Sequence, residues 1–300
     1  MQRPLLGGIV EARGRSVDDV TQAARIRHYL ETGEADADPR GWPGANIIEQ
    51  GQTQHVALSS ALIAEVRRRA TRAVPPAFPP GLDLAAFTRG RVAPMVDGLF
   101  PAPERLTVMR LLERAVVVLT PETIAAVLAA QPWPLTAWQL ANVYLGSLGR
   151  PGLHGGPASV VGLSQETTCY LALSYFTEPD PFADFLVHEA AHVFHNWKRE
   201  YAGLPQTRRK EWLLAIDFHL RETFAYACEA YSRILTLGAM RRERVRLVEE
   251  YAETALPSDG RVETGELVDI LRKAVGLRNG WAMIRARCAP DRQPRRTARI

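Results

Sequence analysis

A mostly helical α+β fold is predicted by this sequence, on three observations. Apolar residues recur three or four apart through most of the chain, the period of a helix with one buried face. Two places break that period: the β-branched run Ala115-Val116-Val117-Val118-Leu119-Thr120, and the strand-like residues flanking Ser164-Gln165-Glu166-Thr167, together enough for a small sheet. Finally, 300 residues of which 46% are hydrophobic can bury one large core or two modest ones.

The elements follow in order. Ser16 to Glu31 suits a helix capped by Ser16, with Asp18 and Asp19 in its first turn, and Gly33 to Gly44 breaks into loop. A second helix is predicted from Val56 to Val74, with Leu58, Leu62, Ile63 and Val66 opposite a solvent face of Arg67, Arg68, Arg69 and Arg72. Pro75-Pro76-Ala77-Phe78-Pro79-Pro80-Gly81 is too stiff to continue a helix, so an N-terminal helical region is expected over 1–80. Pro94 to Pro103 reads as irregular and Arg105 to Arg114 as helix. A buried strand over 115–120 ends at Pro121, and helices at 122–130 and 135–148 follow, the second carrying Trp138, Leu140, Val143, Tyr144 and Leu148 for the core. After the loop Leu153-His154-Gly155-Gly156-Pro157, strands at 158–163 and 168–176 form a hairpin about 164–167. A helix from Asp184 to Glu200 comes next, then a turn through Gly203 and Pro205 and a long helix from Thr207 to Leu237. Gly238 interrupts it, and helices are predicted at 240–255, 262–275 and 279–288.

Composition narrows the function classes. Met1 to Glu11 lacks a basic segment followed by an apolar run, and no window of eighteen apolar residues exists, so neither export nor a membrane span is expected. The three cysteines, Cys169, Cys228 and Cys288, are widely spaced and form no Cys-x-x-Cys pair, which fits a reducing cytoplasm. A net charge of +4 is mild, and a nucleic-acid footprint needs basic residues concentrated on one surface. The one concentration is a C-terminal tail with Arg285, Arg287, Arg292, Arg295, Arg296 and Arg299, read as solvated. Nothing in the sequence sets an oligomeric state.

The chemistry concentrates in Asp184-Phe-Leu-Val-His-Glu-Ala-Ala-His-Val-Phe-His-Asn-Trp-Lys-Arg-Glu200, which contains His188-Glu189-Ala190-Ala191-His192, an HExxH motif. Without glycine or proline the stretch is helical, and histidines four apart project from one face, where a single metal ion can bridge both rings. Zinc takes neutral imidazole nitrogens at about 2.0–2.1 Å and keeps a fourth position open in hydrolytic sites. Glu189, about 100° round the helix, is placed to act as general base on water rather than as a ligand. His195 is too far along the axis to join His188 on one ion, and is expected to support a ligand or pack.

The third ligand is expected on the next long helix, where an unpaired buried carboxylate would be costly. Glu222 and Glu229 lie seven apart on one face, so either can bind while the other orients a histidine ring. Tyr226 and His219, about a turn either side of Glu222, are candidate hydrogen-bond donors to the oxyanion of an amide hydrolysis, and Arg221 and Arg233 candidate anchors for a substrate carboxylate.

With HExxH and Glu222-Thr223-Phe224-Ala225 together, residues 110–235 resemble the gluzincins, zinc metallopeptidases whose third ligand is a glutamate on a later helix. The metzincin continuation fails, with His195 where it needs glycine and Lys198 where it needs histidine; the thermolysin-like Asn-Glu-x-x-Ser-Asp is absent. The resemblance implies a zincin-like fold: a subdomain over 81–205 with a small mixed sheet packed on the HExxH helix, and a helical subdomain over 206–300. It implies Zn²⁺ held by His188, His192 and Glu222, Glu189 as catalytic acid/base, and a peptide or protein substrate paired to an edge strand, expected at 158–163. The alternative is a zinc-binding scaffold without catalysis, which would keep the ligands but have no need of Glu189.

Overall fold

The computed structural model describes residues 17–156, 162–165, 167–207 and 210–290, and within them the chain is mostly helical with one small mixed sheet. Helix α1 spans Val17–Thr32 and α2 spans Ile47–Ala70. The second helix starts nine residues earlier than its apolar stripe predicts, because Asn46 caps it, its side chain accepting from the Ile48 and Glu49 amides. Arg69 leaves the expected solvent face: its guanidinium donates to the Gly152 carbonyl at 2.6 Å.

Helix α3, Leu84–Leu99, occupies much of a stretch expected to be irregular from Pro94 onward. Pro94 lies inside it, tolerated because Val92, Met95, Val96 and Leu99 are buried in the core, and tertiary packing outweighs the lost amide. Helix α4, Ala102–Ala115, runs into strand β1, Val116–Leu119; α5, Ile124–Ala130, and α6, Pro134–Ser147, follow close to their predicted bounds.

Strands β2, Gly162–Gln165, and β3, Thr168–Ala172, form the hairpin, but Ser164 and Gln165 belong to β2 rather than to the turn. Residues 158–161 of the expected edge strand lie outside the described residues. The segment after Ala172 is a 3₁₀ turn, Leu173–Thr177, not strand, and its Leu173 and Tyr175 are buried. Strand order is β1-β3-β2, with β1 parallel and β2 antiparallel to the central β3, so β2 is an edge. Alternation along β3 builds two cores. Cys169 and Leu171 face one containing α3, α4 and the later helices, while Tyr170 and Ala172 face another made with α2, α5 and α6.

Helix α7, Phe185–Asn196, packs on the sheet, and α8, Arg221–Leu237, packs on α7. The long helix expected from Thr207 therefore begins only at Arg221. Between them Trp212-Leu213-Leu214 folds back on the end of α7, the Leu213 amide bonding the Trp197 carbonyl and the Leu214 amide that of Phe194. Three helices close the fold, α9 at Arg241–Thr254, α10 at Thr264–Ala274 and α11 at Gly280–Arg287. Two arginines assigned to the tail belong to α11: Arg285 donates to the Leu99 carbonyl and Arg287 pairs with Asp269 and Glu266. The other four lie outside the described residues. The three cysteines are free and buried. Among the described residues no helix is long and apolar enough to cross a membrane.

The end of α7 is pinned by a buried ion pair. Arg199 is 2% exposed, meets both Glu104 oxygens at 2.6 and 3.1 Å and donates through Nε to the Pro205 carbonyl. Arg199→Met should cost about 3–5 kcal/mol in urea denaturation, because it strands the partly buried Glu104 carboxylate.

Candidate metal centre

The centre is built where α7 and α8 cross in opposite directions. Asp184 caps α7, accepting from the Val187 amide and from the Tyr175 hydroxyl at 3.0 Å, with the Arg91 guanidinium 3.3 Å away. One turn in, His188 and His192 project to the same side, their Nε2 atoms 3.2 Å apart. From α8, Glu222 brings Oε2 to 3.4 Å from His192 Nε2 and 3.8 Å from His188 Nε2. All three ligand atoms lie within 4.8 Å of one another. Three ligands about 2.0–2.1 Å from one tetrahedral ion would stand roughly 3.3 Å apart, so the donor set fits a small divalent cation.

Glu222, Tyr226 and Glu229 share one face of α8, and each meets α7 at a different level. Glu229 sits behind the histidines. Its Oε2 is 3.0 Å from His188 Nδ1, and its Oε1 accepts the Asp184 amide at 2.7 Å, so one buried carboxylate fixes both the start of α7 and the His188 ring. Of the two glutamates left open by sequence, Glu222 faces the Nε2 side and Glu229 the Nδ1 side. The Tyr226 ring stands edge-on to His188 with centroids 4.5 Å apart.

His195 lies beneath His192, with His192 Nδ1 3.0 Å from His195 Nε2 and His195 Nδ1 3.1 Å from Asn196 Oδ1. Asn196 Oδ1 can only accept, so His195 donates to it through Nδ1 and accepts from His192 through Nε2. The lone pair of His192 Nε2 is thereby turned towards Glu222 and His188.

His188, His192, His195, Asn196, Glu222 and Tyr226 line a cleft of about 860 Å³. Glu189 reaches into it from α7 and lies against Gly162 of β2, where an added Cβ would come within 3.2 Å of its Cγ and 3.3 Å of its Oε1. His219 lies exposed on the cleft wall in the 3₁₀ turn Phe218–Leu220, and Arg221 lines the same wall. Arg233 does not reach this cleft: it borders a separate cavity of about 250 Å³ and donates to the Pro181 carbonyl. Further along α8, Tyr231 packs on Trp281. Sequence reasoning missed Asp259 and Arg261, which arrive from the loop between α9 and α10. Arg261 Nη1 holds Glu222 Oε1 at 2.7 Å while Asp259 holds the rest of the guanidinium. No local pattern announces them.

The charges set a pH dependence. Burial disfavours the charged His188 ring, but Glu222 and Glu229 outweigh it and push its pKa up to about 10 from 6.5. Burial, with the His192 and Arg221 charges, pulls His195 down to about 3 from 6.5. Between pH 6.5 and 10 the folded metal-free chain keeps a proton on His188 that the unfolded chain has lost, so stability falls as pH rises. Between pH 6.5 and 3 the unfolded chain takes up a proton at His195 that the folded chain refuses, so stability falls as pH drops. The thermal midpoint of chelator-treated protein should therefore peak near pH 6.5 and decline on both sides; a profile flat from pH 5 to 9 would contradict this electrostatic account.

No protein family matches the chain, and neither a curated protein nor a solved structure is similar to it.

Proposed function

We propose that this chain is a zinc-dependent peptidase of gluzincin type with a zincin-like arrangement of sheet and helices, holding its metal through His188, His192 and Glu222. The observation that carries the reading is the spacing of those three donors beside Glu189 at the edge of an open cleft. Zinc bound there supplies Lewis acidity to a water and to a scissile carbonyl. The protein's own part falls to four groups. Glu189 takes a proton from the attacking water and returns it to the leaving amine as the amide C–N bond breaks. Tyr226, whose hydroxyl is held protonated by burial and by the Glu229 charge, with its pKa pushed up to about 12, donates to the developing oxyanion. His219 supplies a second polar group at the rim. Gly162, Leu163 and Ser164 line the cleft on the outer strand β2, whose backbone can pair with an extended peptide.

Incubating the zinc-loaded chain with a broad peptide library tests the reading. New termini detected by mass spectrometry, lost on chelation and restored by zinc, are expected. One equivalent of zinc with no cleavage across the library would leave a metal-holding scaffold instead.

A further inference from the structure

We infer that Arg221 is the substrate-recognising cation of the cleft and that the preferred substrates are peptides presenting a carboxylate to it; this rests on the peptidase reading above. Among the described residues two guanidinium groups line the cleft. Arg261 is committed, with Asp259 on one side and Glu222 on the other. Arg221 has no carboxylate within ion-pair reach among the described residues. Its guanidinium lies over the Phe218 ring, 5.2 Å from the centroid, and Phe218 is itself 72% exposed. Its Nε is shielded from solvent and has no hydrogen-bond partner among the described residues.

This is an unusual position for an arginine that serves only solubility. An ordinary surface guanidinium keeps its donors in water, whereas a buried donor without a partner carries a desolvation cost that a bound acceptor removes. Stacking on an aromatic ring uses the face of the guanidinium and leaves the in-plane N–H groups free, the geometry that takes a carboxylate in two parallel hydrogen bonds. Arg221 is also the residue before Glu222, and both line the same cleft. Of the cleft's carboxylates, Glu222 and Asp259 are already paired with Arg261, which leaves Arg221 as the guanidinium open to a substrate acid.

The shared chemistry is a carboxylate, from an Asp or Glu side chain or from a free C-terminus, and matched peptides separate the two. Quenched fluorescent peptides would carry Asp or Asn at each position around the cleaved bond, each with a C-terminal carboxylate or a carboxamide. The expected wild-type preference for one acid is about 10- to 100-fold in kcat/KM, weakening as salt is raised. Arg221→Gln should abolish that preference while retaining zinc and cleaving the neutral peptide, Arg221→Lys should restore part of it, and Arg246→Gln, the same charge change on an exposed face of α9, should leave it intact. A preference for Asp places a side-chain acid at the subsite, and a preference confined to the free C-terminus makes the chain a carboxypeptidase. Equal cleavage of acidic and neutral peptides, or a preference that survives Arg221→Gln, overturns the inference and leaves the peptidase reading standing. Cleavage of no peptide by zinc-loaded protein overturns both.

Discussion

Glu189→Gln should lower peptide turnover by about 10²- to 10⁴-fold while zinc content and thermal midpoint stay at wild-type values. The substitution keeps the size of the side chain and removes its capacity to take a proton. Glu189 is buried yet borders the cleft, and a Cβ added at Gly162 of β2 would meet its Cγ and Oε1. The histidines at the motif's ends belong to the cluster of candidate ligand atoms, and Glu189 stands outside it. Loss of zinc in this variant would move Glu189 into the ligand set. Unchanged turnover would remove it from the chemistry altogether.

The second large effect separates the two glutamates of α8. Glu222→Ala should weaken zinc binding by more than about 100-fold, whereas Glu229→Ala should weaken it by about 10- to 100-fold, the usual range for a group that orients a ligand. Glu222 Oε2 faces both Nε2 atoms, while Glu229 touches only His188 Nδ1 and the Asp184 amide. Glu229→Ala should cost more stability, because it leaves a buried amide and a buried ring nitrogen unpaired. Arg261→Ala belongs with the milder class, since it frees Glu222 Oε1 without removing a donor. Competition titrations against a chelator of known affinity rank the three. The reverse order for the glutamates would exchange their roles.

What could be read from the sequence was what local periodicity carries. His188 and His192 stand one turn apart because residues four apart on any helix do so, and α4, β1, α5, α6 and α9 to α11 begin and end near breaks visible in the chain. Glu222 was within reach through its Glu-x-Phe-Ala context, though spacing alone left Glu229 equal to it. Features set by tertiary contact were out of reach. Pro94 masked α3, whose stability comes from the buried faces around it. The apolar run Trp212-Leu213-Leu214 has helical composition but spends its amides on carbonyls at the end of α7. Arg261 and Asp259 come from a loop without periodicity and acquire meaning only when that loop is laid against Glu222.

Zinc analysis of the purified chain after exhaustive dialysis, alongside His192→Ala, bears most directly on the account. One equivalent of zinc per chain in the parent and none in the variant is the result it predicts. A parent chain that retains no zinc, or a His192→Ala chain that retains as much as the parent, would contradict it.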